Sequence, residues 1–261
     1  MSLAIRSTLR LWLLGLAVLL SWPACAQQAK DSRQSSYELM TPEIQVMQAN
    51  PDSNPAAFWL LDGQALWSEQ HGSERKSCAS CHGDAAKTMK GVAASFPKLQ
   101  RGRLTSLEEQ VNQCRTTHLE LPSVSHESKT SLALTTYIAA QSKGMPIQVE
   151  ATPAAMTQVE TGRLMFEQRM GQLNLSCAQC HDQRAGLKLG GSSIPQAHPT
   201  GYPIYRLEWQ SMGSLERRLR NCMIGVRAEP FAFDSTEIKQ LEAFLMWRAR
   251  GMLIETPGVR P

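Results

Sequence analysis

The stretch Cys177-Ala178-Gln179-Cys180-His181 constrains this chain more than any other. Two thiols three positions apart can form thioethers with the two vinyl groups on one edge of a porphyrin. The adjacent histidine then reaches the iron as an axial ligand. The same spacing recurs upstream as Cys78-Ala79-Ser80-Cys81-His82. One such pattern is compatible with a redox pair or a zinc site, but structural zinc needs four ligands close together, and neither stretch supplies them. Two patterns predict two covalent haems c, attached at Cys78 and Cys81 and at Cys177 and Cys180, with His82 and His181 on the irons.

Covalent haem of this kind is matched to an exported chain, and the N-terminus fits one. Arg6 and Arg10 precede a short apolar core from Leu11 to Leu20, and Ala24-Cys25-Ala26 follows the small-x-small cleavage rule. Residues 1–26 are therefore expected to be a signal peptide and the location the periplasm. Trp22 and Pro23 disfavour a lipid-modified Cys25. The apolar run is well short of the ~20 residues that span a bilayer, and no later segment is apolar enough. The formal charge of +4 falls by two once Arg6 and Arg10 are removed, so neither nucleic acid nor a membrane surface is implied as a partner.

From Gly63 onward the chain repeats itself. Gly63 stands fifteen residues before Cys78, and Gly162 stands fifteen before Cys177. Leu66-Trp67 matches Met165-Phe166, Gly72 matches Gly171, and Ser77 matches Ser176. Further on, Ser106-Leu107-Glu108 through Cys114 is in register with Ser214-Leu215-Glu216 through Cys222. Both serines suit helix N-caps. Leu134, Tyr137, Ile138 and Gly144-Met145 then match Leu241, Phe244, Leu245 and Gly251-Met252, at helical spacing closed by glycine. The pattern predicts an all-α protein with two tandem cytochrome-c-like haem domains, one over 55–148 and one over 149–261. Residues 27–54 read as a polar N-terminal extension, and Met145 to Met156 as a linker. Gly186 to Tyr205 has little periodicity and reads as a functional loop in the second half.

Cys114 and Cys222 remain once the haem motifs have used four cysteines. In an oxidising compartment, two spare cysteines often form a disulfide. Equivalent places in two repeats predict instead that each lies near its own haem, as the second axial ligand. His82 and Cys114 would hold one iron, and His181 and Cys222 the other. The halves differ just before these cysteines. Arg217, Arg218 and Arg220 precede Cys222, and Arg218 lies one helical turn before it; the matching residue before Cys114 is Gln110. A guanidinium beside a thiolate can hold a sulfur oxyanion, so the second half reads as the reaction site. The unmatched His71, His118, His126 and His198 read as surface or core histidines.

At this point the chain resembles the SoxA subunits of the SoxAX cytochromes. The resemblance covers most of the sequence after the signal peptide. It is most specific in Leu219-Arg220-Asn221-Cys222 through Val226-Arg227-Ala228-Glu229-Pro230, and in Leu245-Met246-Trp247-Arg248 through Glu255-Thr256-Pro257. With Cys78, Cys81, His82 and Cys114 all present, it is the dihaem type that is matched. The resemblance implies a periplasmic heterodimer with the small monohaem cytochrome SoxX. The implied activity is that of an L-cysteine S-thiosulfotransferase, which couples thiosulfate oxidatively to a cysteine of the carrier SoxYZ. It also implies that Cys222 is catalytic, carries an extra sulfur as a persulfide and stays on the iron, and that Arg218 binds substrate. A plain dihaem electron carrier is the bland alternative, but it needs neither Arg218 nor the long loop. A tetrathionate-forming thiosulfate dehydrogenase is the third reading, which Glu255-Thr256-Pro257 fits less well.

Overall fold

The computed structural model describes residues 31–261, so the expected signal peptide lies outside the described residues. Helix α1 (Pro42–Ala49) leads into a first set comprising α2 (Ala57–Ser68), α3 (Cys78–His82), α4 (Ala85–Thr88), α5 (Leu107–His118) and α6 (Lys129–Ala140). The second set is α7 (Pro153–Glu167), α8 (Cys177–His181), α9 (Leu215–Gly225) and α10 (Thr236–Arg248). The strands are short. β1 (Lys98–Gln100) and β2 (Arg103–Thr105) form one hairpin, and β3 (Lys188–Leu189) and β4 (Ser192–Ser193) form another. β5 (Ile204–Arg206) pairs antiparallel with β6 (Ser211–Gly213) and parallel with β7 (Gly258–Arg260). The protein is thus two copies of one helical pattern, and no helix of the described residues is long and apolar enough to cross a membrane.

The repeated glycines explain how each copy closes. α2 crosses α6, and α7 crosses α10. A Cβ on Gly63 would stand 2.2 Å from the Ala133 carbonyl oxygen, and one on Gly162 would stand 2.0 Å from that of Gln240. In both halves a residue without a side chain lets the two backbones touch. Around each crossing lies an apolar cluster. Trp67, Phe96, Leu107 and Ile138 fill the first; Val159, Phe166, Leu241 and Phe244 fill the second. Fully burying a side chain of this size contributes about 1.5–3 kcal/mol.

The repeated serines cap the helices. Ser77 and Ser176 form capping boxes at α3 and α8, and Ser106 and Ser214 each accept a 3.1 Å hydrogen bond, from the backbone N–H groups of Glu109 and Arg217. These caps fix where each helix begins, and so where the haem-motif and repeat cysteines fall.

The stretch read as a linker differs from expectation. Ile147 N–H donates to Met252 O at 2.9 Å, and Ile254 N–H donates to Met145 O at 2.9 Å. Ile147, Val149 and Ile254 are all buried, which is why this stretch is a packed crossing and not a free connection. The N-terminal stretch also packs, through polar contacts. Arg33 Nη1 donates to Arg248 O at 3.0 Å, Asn54 Nδ2 to Pro257 O at 3.2 Å, and Val259 N–H to Gln48 Oε1 at 2.9 Å.

The halves meet at a buried polar seam. Lys239 on α10 donates to Glu109 on α5 at 2.8 Å. Next to it, His126 faces Glu216 and Asp234. Burial opposes charge on His126, but the Asp234 hydrogen bond and the carboxylates of Glu108 and Glu216 more than offset it and hold the imidazole up at about 10. Burial pushes Glu216 up to about 7 and raises Glu108 and Glu242.

Candidate active site

In the first half, α3 presents Cys78, Cys81 and His82 to a cavity of about 300 Å³. Trp67, Phe96, Leu107, Leu134 and Ile138 give it an apolar lining, and Cys114 enters from α5. An apolar slot with two thiols, an imidazole and a further thiol fits a covalently attached porphyrin. Burial raises the Cys78 thiol, and nearby Cys114 raises it further, so the repeat cysteine stands close to the haem motif of its own half. Gln110 Nε2 donates to Cys114 Sγ at 3.4 Å. Met89 and His118 line the same cavity, the latter from the exposed end of α5. Trp67 stands 5.8 Å from the His82 ring, where Phe166 stands 6.3 Å from that of His181 in the second half.

In the second half the loop after α8 has a visible task. It leaves through the exposed β3–β4 hairpin and returns to set the Pro195 carbonyl 2.7 Å from His181 Nδ1. A carbonyl can only accept, so Nδ1 carries the proton and Nε2 is left with its lone pair free. Cys222 faces this imidazole. Burial raises its thiol pKa, but a hydrogen-bonding contact with His181 and the charges of Arg218 and Arg206 outweigh burial, and the net shift is downward. Cys177 has no such help; burial and the neighbouring Cys222 push it up to about 12. Cys222 thus pairs with its own haem motif, as Cys114 does. All six cysteines among the described residues are free, so no disulfide joins Cys114 to Cys222.

The three arginines of α9 separate cleanly. The Arg217 guanidinium lies 4.2 Å over the Trp209 ring, donates to Ser211 Oγ at 3.2 Å and is 3.8 Å from Glu127. Arg220 donates to Phe231 O and lies 4.4 Å over Phe233. Both are tied into the protein. The Arg218 side chain makes no hydrogen bond or ion pair among the described residues. Burial works against its charge, but Cys222 beside it, with Tyr202 and Glu208, more than compensates.

Two residues that sequence reasoning missed complete the site. Arg206, at the end of β5, lies close enough to Arg218 and Cys222 to interact with both; burial and the Arg218 charge lower its pKa. It is held by Glu208 at 3.0 Å and by the Trp209 ring at 5.2 Å. Burial raises the Tyr202 phenol, which also faces Arg218, Arg206 and Cys222. The chain carried no periodic signal for either residue. The one pointer was the aperiodic loop that ends at Tyr205, beside Arg206. The arrangement is a thiol shifted toward its thiolate form with two guanidinium groups near it, suited to a small divalent oxyanion of sulfur.

The comparisons bear on the family and the fold. The family model described as SoxA/TsdA, cytochrome c domain, matches twice, over residues 62–147 and 161–254. The SoxA subunit of L-cysteine S-thiosulfotransferase from Pseudaminobacter salicylatoxidans is 35% identical over 88% of this chain and 82% of its own. The SoxA subunit from Rhodovulum sulfidophilum is 31% identical, covering 91% and 84%. The crystal structure of SoxXA from P. pantotrophus superposes with a TM-score of 0.84 at 29% identity, over 88% of this chain and 87% of the other. The protein is therefore a haem-c-binding chain of two tandem cytochrome-c-like domains, and it belongs to the SoxA family.

Proposed function

We propose that this chain is the catalytic subunit of a periplasmic L-cysteine S-thiosulfotransferase, working with a SoxX-type monohaem cytochrome on a SoxYZ-type carrier protein. The carrier's cysteine thiol and the terminal sulfur of thiosulfate form a new S–S bond. The S–H bond breaks, one proton goes to solvent, and two electrons leave. Haem c supplies the one-electron acceptor chemistry when bound. The proposed set is two haems c, one on Cys78 and Cys81 with His82 and Cys114 as ligand residues, the other on Cys177 and Cys180 with His181 and Cys222.

The protein's own residues solve an electrostatic problem. Thiosulfate is a dianion, and the groups around Cys222 favour its thiolate form. At an effective dielectric of about 20, two like unit charges about 4 Å apart repel by about 4 kcal/mol. Arg218, whose side chain has no hydrogen bond or ion pair among the described residues, takes the sulfonate oxygens, and Arg206 supplies the second positive charge. Pro195 keeps the His181 proton on Nδ1 throughout. The first half has Gln110 in place of Arg218 and serves electron transfer. One arrangement carries this reading: Arg218, with no side-chain hydrogen bond or ion pair among the described residues, stands with Arg206 near enough to Cys222 for both charges to lower its thiol pKa.

The test is product analysis with the haem-loaded heterodimer, thiosulfate and the carrier. We expect thiosulfate-dependent haem reduction and a carrier heavier by one thiosulfonate group. Tetrathionate formed equally well without carrier would replace this reading with the dehydrogenase. No thiosulfate-dependent reduction at all would leave a plain electron carrier.

A further inference from the structure

The seam between the halves holds more acid than it can neutralise. His126, just before α6, is stacked on Phe233 with ring centroids 5.2 Å apart. Its side chain is 3% exposed. Asp234 Oδ1 lies 3.2 Å from Nδ1. Among the described residues Nε2 has no hydrogen-bond partner, and it points toward Glu216, whose Oε2 is 3.8 Å away. Glu216, on the first turn of α9, is 2% exposed at its side chain. Its Oε2 accepts from Asp234 N–H at 2.8 Å, and its Oε1 has no partner among the described residues. Glu242 Oε2, also buried, has none either. Glu108, the repeat counterpart of Glu216, lies close enough to Glu216 and Glu242 to interact with both.

Four carboxyl groups therefore surround one imidazole. The neighbouring Lys239 and Arg103 are each engaged by Glu109, at 2.8 and 2.5 Å. Unpaired buried acceptors are costly, and a bound cation is a common reason for them. Ligand atoms of His126, Glu216 and Asp234 lie within 4.8 Å of one another. Bonds of about 2.0–2.2 Å to zinc need only a small inward movement, which the half-exposed Asp234 can make. A cleft of about 310 Å³, lined by Glu108, Glu109, His126 and Asp234 among others, connects solvent to the cluster.

We propose that His126, Glu216 and Asp234 form a site for one divalent transition-metal ion, which clamps the first half to the helix that carries Arg218 and Cys222. One nitrogen and two carboxylates favour Zn²⁺ or a similar ion over Mg²⁺. This site is separate from the haem cavities, and the proposal does not depend on the reaction assigned above.

The test uses the untagged, haem-loaded protein, stripped with a chelator and titrated with Zn²⁺ at neutral pH by calorimetry. We expect one saturable equivalent that an excess of Mg²⁺ does not displace, and a higher melting temperature with Zn²⁺ than without. Asp234→Asn and His126→Gln should each weaken binding by about ten- to a hundredfold or more and abolish the Zn²⁺-dependent rise in melting temperature. Should His126→Gln fail to fold, Asp234→Asn decides alone. Absence of saturable binding, or binding unchanged in Asp234→Asn, would overturn the site.

Discussion

Gln110 and Arg218 occupy one position in the two repeats, one helical turn before Cys114 and Cys222 respectively. The Gln110 amide is spent on protein, donating to Cys114 Sγ at 3.4 Å and accepting from Gln100 Nε2 at 2.9 Å. The Arg218 guanidinium has no such partner among the described residues and stands beside Cys222. One residue finishes a thiol's hydrogen bonding, and the other leaves a charge available at the thiol.

Arg218→Gln therefore transplants the first half's solution into the second. We predict that the variant keeps its haems and a near-normal visible spectrum. Thiosulfate-dependent turnover should fall by roughly tenfold to a hundredfold or more, because a charge-assisted hydrogen bond contributes about 1.5–3 kcal/mol. Steady-state assays with the carrier measure this. Turnover equal to wild type would make Arg218 an ordinary buried cation.

Arg206→Gln is predicted to act in the same direction but more weakly, since Arg206 is partly neutralised by Glu208 at 3.0 Å. A loss of roughly three- to tenfold in kcat/KM corresponds to about 0.7–1.4 kcal/mol. Added salt should shrink the wild-type advantage over the variant. A salt-independent loss would point to disturbed packing on Trp209, not to charge.

What the sequence revealed and what it hid divide by range. The haem motifs and the serine caps are local or periodic, so register alone exposed them; it also paired Gly63 with Gly162, but not the helix crossings that these glycines permit. Arg218 was legible because helical spacing ties it to Cys222. Arg206 and Tyr202 were not, because a turn and a strand bring them to the cysteine without periodicity. His126 was harder still: its Asp234 partner is 108 positions away, and a single histidine in an irregular stretch gives no sign of its burial. The N-terminal segment was opaque for a different reason. It binds through Arg33, Gln48 and Asn54 hydrogen bonds, which leave no hydrophobic period to read.

The crossings give a stability prediction. In Gly162→Ala the new methyl would meet the Gln240 carbonyl at 2.0 Å, and in Gly63→Ala it would meet that of Ala133 at 2.2 Å. Backbone cannot move aside as a flexible side chain can. Each variant should lose about 1–3 kcal/mol or more, by overpacking. Gly191→Ala, with nothing within 4 Å of the added carbon, is the control and should stay within about 0.5 kcal/mol of wild type. Chemical denaturation reads all three. A neutral Gly162→Ala would mean that α7 and α10 pack less closely than described.

The last prediction concerns the irons. Cys114 and Cys222 share a repeat position, and each couples to the first cysteine of its own haem motif, Cys78 or Cys177. Denatured, acid–acetone-extracted protein should therefore retain two haems on the polypeptide, and electron paramagnetic resonance should show two low-spin thiolate species. Cys114→Met should alter one species and leave the other, and Cys222→Met the reverse. The competitors in the first half are specific: Met89 and His118 line the same cavity as Cys114. Met89 is tied into the apolar cluster under Trp67, and His118 sits at the exposed end of α5, so neither shares Cys114's place in the repeat. If Cys114→Met left both species unchanged while Met89→Leu or His118→Gln removed one, the first iron would be held by that residue, and the two halves would differ in ligand as well as in charge.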